Sequence, residues 1–130
     1  MDVKDIIKKA VSIEPNSSVK KAASLMSKKN IGCLIVMNNK KIVGIITERD
    51  ILKKVEAVAK NVNSVFVKDI MIKKVITISP DDNLDDAALV MSKHKIKKLP
   101  VVDKGELIGI ITNTDIIKNS ERVNESYFFN

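Results

Sequence analysis

The chain repeats itself, and this internal duplication limits the folds available to it more than any other feature of the sequence. Residues 13–53 align with residues 78–118 at a constant offset of 65 positions without a gap, and 17 of these 41 positions are identical. Upstream, VKDII at 3–7 matches VKDIM at 67–71 at an offset of 64. Repetition of this kind is typical of a chain built from copies of one structural unit. We therefore predict two similar units in tandem.

Both copies present the same order of secondary-structure signals. A β-prone run is followed by a proline, an amphipathic helix, two apolar runs split by a turn, and a second helix. The predicted first strands are 10–13 and 75–78, the hairpins are 33–37 with 42–46 and 99–102 with 107–111, the turns are 38–39 and 104–105, and the second helices are 48–59 and 113–119. Each copy therefore reads as β-α-β-β-α, an α/β (α+β) fold class.

The first helix of each copy carries an apolar stripe at the spacing i, i+3, i+4, i+7. The stripe residues are Val19, Ala22, Ala23 and Met26 in copy one, and Leu84, Ala87, Ala88 and Met91 in copy two. Ser18 and Asn83 precede these helices and are natural N-caps. A unit of about 60 residues buries too little surface to be stable alone. We expect the two copies, 1–65 and 66–130, to pack sheet to sheet around one aliphatic core.

Composition excludes several classes of protein. One Cys and one His exclude a disulfide framework and a Cys/His zinc site. The apolar runs are too short to span a bilayer and the first residues lack the apolar region of a signal peptide, so we expect a cytoplasmic protein without membrane contact. The net charge of +7 falls in residues 1–65, which hold 13 Lys and Arg against 6 Asp and Glu. Nucleic-acid binding through this basic copy stays open as an alternative, although only 3% of residues are aromatic.

The segment shared most closely by the two copies is GIITERDI at 44–51 and GIITNTDI at 109–116. A threonine at the strand end with an acid three residues later is a capping box, although that box prefers Glu or Gln. The same arrangement suits a nucleotide, because free N–H groups at a helix start favour phosphate and a short carboxylate accepts the ribose hydroxyls. The residues alone leave both readings open.

The repeat, the G-h-h-T-x-x-D ending (h, apolar), the V-x-D-I-M start and the KIKKLPVVD segment together resemble CBS domains, two of which in tandem form a Bateman module. The resemblance covers residues 3–119. It implies a pseudo-twofold pair of repeats with two clefts that bind AMP, ADP, ATP or S-adenosylmethionine and its relatives. It also implies a regulatory module without catalysis or catalytic cofactor, which relays ligand occupancy to a partner.

In this family each cleft combines the T-x-x-D segment of one repeat with the first strand and the start of the second strand of the other. Carried over, site one contains Thr47, Glu48, Arg49, Asp50, Val75, Ile76, Thr77, Ile96, Lys97 and Lys98. Site two contains Val11, Ser12, Ile31, Gly32, Cys33, Thr112, Asn113, Thr114 and Asp115. The aspartates would hold ribose, and Arg49, Lys97 and Lys98 would meet phosphate in site one. Site two has no basic residue at the matching positions, and Ile35 replaces the proline that copy two has at Pro100.

Other functions remain as alternatives to nucleotide sensing. An enzyme would need a base or metal cluster, and Cys33 has no histidine in its segment to activate it. A purely structural dimeriser would not need two intact T-x-x-D segments. We expect a homodimer and an effector protein acting in trans, because the chain holds no effector domain. The tail ESYFFN at 125–130 holds every aromatic residue except Phe66, and we expect it to pack on the module's own surface.

Overall fold

A computed structural model of the protein describes residues 1–119 and divides them into two compact units. The first unit is Ala10–Val75, and the second combines Met1–Lys9 with the chain from Ile76 onward. The two VKDI segments therefore each join the unit that is built mainly from the other copy. The boundary at residues 65 and 66 remains a prediction about the sequence repeat, and the predicted role of the tail lies outside the described residues.

The first unit follows the predicted order of elements. Its elements are β1 (Ser12–Ile13), α1 (Val19–Lys29), β2 (Cys33–Asn38), β3 (Lys41–Thr47), α2 (Glu48–Ile51), a π-helical stretch (Leu52–Glu56) and α3 (Val67–Ile70). The sheet order is β1-β2-β3, with β1 parallel and β3 antiparallel to β2. The segment after α3 pairs with β3 through Ile72 and Ile45. The helix predicted over 48–59 is thus a short α-helix that continues as a π-helix.

The second unit repeats this plan with one strand fewer. It contains a 3₁₀ turn (Val3–Asp5), α4 (Leu84–His94), β4 (Lys98–Asp103), β5 (Glu106–Thr112) and α5 (Asn113–Asn119). The strands β4 and β5 form an antiparallel hairpin. Lys8 pairs with Ile110 of β5 just as Ile72 pairs with Ile45 in the first unit. Fold class and element order therefore agree with the sequence prediction.

The strand predicted over 75–78 is reduced to a single parallel bridge between Ile78 and Val101. In the first unit, the Ile35 backbone N–H donates to the Val11 carbonyl at 3.0 Å and extends the ladder. Pro100 occupies the position matching Ile35 and has no N–H to donate. The ladder is therefore one hydrogen bond shorter in the second unit.

The predicted helix caps are confirmed. Ser18 Oγ accepts a hydrogen bond from the Lys21 backbone N–H, and Asn83 Oδ1 accepts one from the Asp86 backbone N–H. The first hairpin turn is displaced by one residue from its predicted place, because Asn38 is still paired with Lys41.

Most apolar positions of the two amphipathic helices contribute to an aliphatic core within their own unit. The single core expected to be shared by the two copies stays a prediction. The first core contains Val19, Ala22, Met26, Leu34, Ile46 and Val55 among others, and the second contains Leu84, Ala87, Met91, Leu99 and Ile111 among others. The exchanged segments contribute Val3 and Val67, whose exposed fraction is 0%. Each unit thus completes its core with the VKDI segment that belongs to the other copy of the repeat.

Both glycines of the repeated GIIT segment lie under a crossing chain. A Cβ atom on Gly44 would lie 2.6 Å from Met71 Sδ, and one on Gly109 would lie 2.5 Å from the Lys8 carbonyl oxygen. Such distances are too short for real side chains, so glycine is required by the close approach of the VKDI segments. No helix within residues 1–119 is long and apolar enough to cross a membrane.

Candidate functional site

The T-x-x-D segment of the first unit forms a closed hydrogen-bonded box at the start of α2. The backbone N–H and the hydroxyl of Thr47 both donate to Asp50 Oδ2, at 3.0 and 2.9 Å. In return, the Asp50 backbone N–H donates to Thr47 Oγ1 at 3.2 Å. The capping box expected from the sequence is therefore present, and it leaves Asp50 Oδ1 outside the box.

The second unit builds a matching box at the start of α5. The Thr112 hydroxyl donates to Asp115 Oδ2 at 2.7 Å, and the Asp115 backbone N–H donates to Thr112 Oγ1 at 3.2 Å. Asp50 and Asp115 are 7% and 5% exposed and are the buried charged residues of the described chain. Aspartates are seldom buried unless they are paired, so a partner is expected for each of these two carboxylates.

Each aspartate is paired with a lysine that sequence reasoning missed. Lys54 Nζ lies 3.2 Å from Asp50 Oδ1, and Lys8 Nζ lies 2.9 Å from Asp115 Oδ1. The Lys54 pair had a sequence signal, because helix residues four apart are neighbours. Lys8 had none, since it reaches Asp115 only because residues 1–9 join the second unit.

The environment of Asp115 favours its charged form. Burial alone would raise the pKa of Asp115, but the hydrogen bonds from Lys8 and Thr112 and the charges of Lys8 and Lys118 outweigh it. The pKa of Asp115 therefore lies below its usual value. A carboxylate that stays ionised is a hydrogen-bond acceptor only, as a ribose diol requires.

In the first unit, the start of the second strand lies beside the T-x-x-D box of the same repeat. Cys33 is the register partner of Thr47, and the Glu48 backbone N–H donates to the Gly32 carbonyl at 3.0 Å. Cys33 is buried, while Glu48 and Arg49 are exposed beside the box.

In the second unit, Lys98 is the register partner of Thr112, and the Asn113 backbone N–H donates to the Lys97 carbonyl at 2.8 Å. Lys97 is exposed and Lys98 is half-buried. The structure thus brings together residues 31–33 with 47–48 in one unit and residues 97–98 with 112–113 in the other. The crosswise sets derived from the family resemblance stay a prediction.

The remaining predicted site residues lie at the first-strand positions or close to the boxes. Val11, Ile31, Val75, Ile76 and Ile96 are half-buried, whereas Ser12, Thr77 and Thr114 are exposed. Half-buried apolar side chains are suited to the faces of a planar base. Among residues 1–119, no group of three or more His, Cys, Asp and Glu side chains could hold a metal ion.

A groove of about 450 Å³ lies in the first unit, between α1 and α2. Met26, Ile51 and Leu52 line it together with Glu48 and Glu56. Neither Thr47 nor Asp50 lines this groove. Three of the predicted site residues, Ile31, Gly32 and Glu48, do line it.

Two β-α-β-β-α units, each with a T-x-x-D box at a strand-to-helix junction, define a tandem α/β repeat. The family model for the CBS domain matches this chain twice, over residues 3–57 and 67–122. The chain belongs to the CBS domain family.

The chain is similar to proteins of different sizes. The inosine-5′-monophosphate dehydrogenase of Korarchaeum cryptofilum is 41% identical over 112 residues, which are 85% of this chain but only 22% of that enzyme. The CBS domain-containing protein YhcV of Bacillus subtilis is 33% identical over 95% of this chain and 88% of its own length. The CBS domain pair of protein MJ0100, solved in complex with 5′-methylthioadenosine and S-adenosyl-L-methionine, superimposes with a TM-score of 0.81 at 38% identity, covering 91% of this chain and 94% of that one.

Proposed function

We propose that the protein is a regulatory sensor of adenosine-type ligands, which binds AMP, ADP, ATP or an S-adenosyl compound and catalyses no reaction on it. In this proposal, Asp50 and Asp115 each accept hydrogen bonds from the hydroxyls of a ribose. The observation that carries it is the pair of buried aspartates held in matching boxes, each with Oδ1 directed away from its threonine.

The acceptor capacity of the two carboxylates supports ribose binding and ranks the two boxes. A carboxylate offers about four acceptor positions. Asp50 already receives the Thr47 N–H, the Thr47 hydroxyl and Lys54, so one position remains. Among residues 1–119, Asp115 receives the Thr112 hydroxyl and Lys8, which leaves two positions. Two hydroxyls of one ribose therefore fit Asp115 without displacing a partner, whereas at Asp50 they displace one.

The class of ligand is supported by a relative as well as by the boxes. The MJ0100 CBS pair, which is 38% identical, was solved with 5′-methylthioadenosine and S-adenosyl-L-methionine. Both compounds contain adenosine, whose ribose diol matches the acceptors described above. The proposal extends that ligand class to this chain and includes adenine nucleotides, because Arg49, Lys97 and Lys98 supply exposed or half-exposed cations near the boxes.

Such a sensor would report ligand binding by changing its contacts with other proteins. We include in the proposal a homodimer, an effector protein that acts in trans, and a cytoplasmic location. The salt dependence of binding distinguishes the nucleic-acid alternative from this proposal, because the affinity for a nucleic-acid backbone falls steeply with ionic strength.

Calorimetric titration of the full chain with AMP, ADP, ATP, S-adenosylmethionine and 5′-methylthioadenosine tests the proposal. We expect at least one to bind, and ligand at 100 times its dissociation constant should add about 2.7 kcal/mol to the free energy of unfolding. Asp115→Asn should weaken the tighter binding event by about tenfold or more, because a hydrogen bond to a charged group is lost. Asp50→Asn should spare that event and affect the weaker one.

A purely structural role of Asp50 and Asp115 as helix caps predicts a different outcome from ribose binding. If the aspartates only cap their helices, each Asp→Asn change should lower the free energy of unfolding by about 0.5–2 kcal/mol and leave ligand binding unchanged. Unchanged binding in both variants, or no binding of any adenosine compound by the wild type, would refute the proposed function.

A further inference from the structure

Lys8 is fixed beside Asp115 by its own backbone. Its N–H donates to the Ile110 carbonyl and its carbonyl accepts from the Ile110 N–H, both at 2.9 Å. Gly109 permits this approach, since a side chain there would collide with the Lys8 carbonyl. The Cα position of Lys8 is therefore set by β5, two residues before the T-x-x-D box begins.

Within residues 1–119, the Lys8 side chain has one ion-pair partner, Asp115, and is largely exposed to solvent. Its Nζ lies 2.9 Å from Asp115 Oδ1, while the Lys8 side chain is 58% exposed and the Asp115 side chain 7%. An ammonium group has three N–H donors. The contact with Asp115 uses one of them, so the charge is available to a group that approaches Asp115 from solvent.

The first unit does not reproduce this feature. The residue bridged to β3 at the corresponding position is Ile72, which carries no charge. The cation at Asp50 is Lys54, whose Nζ also donates to the Ile70 carbonyl at 2.9 Å. Lys54 is therefore held by two partners within its own unit, and the two boxes differ in the charge they can offer to a ligand.

We propose that Lys8 is a specificity-determining residue that makes the Asp115 box select adenosine ligands with a negatively charged 5′ group over uncharged or cationic ones. This rests on the proposed function, in which the ribose binds to Asp115. Because Lys8 Nζ lies 2.9 Å from Asp115 Oδ1 on a side chain that is 58% exposed, a ribose bound to this carboxylate has a flexible cation beside it that can turn toward the 5′ substituent. An ammonium group makes strong charge-assisted hydrogen bonds to phosphate, but it repels a sulfonium. The resemblance placed no basic residue in the Asp115 site. In the structure Lys97 and Lys98 lie near the start of this box, and Lys8 is the cation in direct contact with the carboxylate.

The test compares AMP with adenosine, which differ only in the 5′ phosphate. We expect Lys8→Met, which keeps the apolar stem and removes the charge, to weaken AMP binding about three- to tenfold at low ionic strength. Adenosine binding should change less than twofold. Lys9→Met is the matched control, because Lys9 is exposed one residue further along and has the same charge. It should leave both affinities unchanged.

The outcomes separate this inference from the function on which it rests. If the wild type binds neither AMP nor adenosine, the proposed function fails and the inference with it. If the wild type binds and Lys8→Met changes both affinities equally, or changes neither, the inference alone is overturned. Tighter binding of both ligands would show that Lys8 competes with the ribose, and an equal effect of Lys9→Met would show a general surface-charge effect; either result also overturns it. Lys8→Gln serves as a second variant if Lys8→Met folds poorly.

Discussion

Replacing Gly109 by alanine should destabilise the protein, and more strongly than the same change at Gly44. Neither glycine has a positive φ angle, so alanine is compatible with the backbone at both positions. Without steric conflict, Gly→Ala would raise the free energy of unfolding by about 0.4–1 kcal/mol, because the unfolded chain loses freedom. A decrease in the free energy of unfolding on Gly→Ala substitution therefore measures the cost of the collision with the crossing VKDI segment.

The two collisions differ in what must move. At Gly109 the new Cβ would lie 2.5 Å from the Lys8 carbonyl oxygen, and it would also meet Ile7. That carbonyl belongs to backbone held by two hydrogen bonds to Ile110. At Gly44 the nearest atoms are Met71 Sδ and Cγ, at 2.6 and 2.9 Å, with the Ile72 carbonyl at 3.0 Å. A methionine side chain is flexible and can adapt, whereas the backbone at Gly109 must shift as a segment.

The magnitudes follow from these differences. Overpacking costs about 1–3 kcal/mol, and each backbone hydrogen bond lost costs about 0.5–1.5 kcal/mol. Gly109→Ala should therefore lower the free energy of unfolding by about 2–5 kcal/mol, a large share of the roughly 5–15 kcal/mol typical of a domain. Gly44→Ala, in which a side chain absorbs most of the strain, should lower it by at most about 2 kcal/mol.

Urea denaturation of the wild type and both variants measures these differences by linear extrapolation. If each variant has the same dependence of unfolding free energy on urea concentration as the wild type, the unfolded state is unchanged. If Gly109→Ala is as stable as Gly44→Ala, or more stable than the wild type, the first residues do not lie against β5 as described, and the reasoning about Lys8 loses its basis.

Two further predictions concern charge. Because the pKa of Asp115 is lowered in the folded state, the stability it contributes is complete above the ordinary carboxyl pKa and is lost as the pH falls through the folded value. Lys8→Met should therefore lower the free energy of unfolding by at most about 1 kcal/mol, because the lysine is so exposed. This difference from the wild type should shrink as the pH falls below the pKa of Asp115 in the folded protein. Denaturation series at several pH values measure it, and a difference that does not change with pH would contradict the pairing. We expect the proposed homodimer to pair the first turn of α1, which carries Lys20 and Lys21, with the partner's first turn of α4, which carries Asp85 and Asp86. Lys20→Glu should then weaken dimerisation in sedimentation equilibrium, whereas Asp103→Asn, outside these turns, should not. A solution structure with Lys20 beside the partner's Lys20, or a monomer at micromolar concentration, would disprove this arrangement.

The parts of the fold that depend on local chemistry could be predicted from the sequence. Ser18 and Asn83 cap their helices because a short polar side chain before an apolar stripe satisfies the first N–H groups. The T-x-x-D box follows from the same local geometry. The sequence did not predict that the first strand of copy two is reduced to a single bridge between Ile78 and Val101. Pro100 carried the signal, because it has no N–H, but that loss matters only once the strand that pairs with Pro100 is known.

The parts that depend on distant contacts could not be predicted. VKDII and VKDIM are nearly identical, so no local property says which unit each segment joins. The lysine at Asp115 follows from that choice. If residues 3–8 joined the unit of their own copy, Lys8 would lie in the unit of Asp50 instead.

The exchange of the leading segments has a consequence for the order in which the protein takes shape during synthesis. The first unit, Ala10–Val75, is continuous in sequence and can close as soon as Val75 has emerged. The first nine residues then remain without their partner until β5 has been made, because Lys8 pairs with Ile110. Contacts so distant in sequence carry a large loop-closure entropy and form late. We expect the nascent chain to expose Val3 and its neighbours until β5 has been synthesised. During this interval the protein is most open to chaperones, proteases or pairing with a second copy of itself.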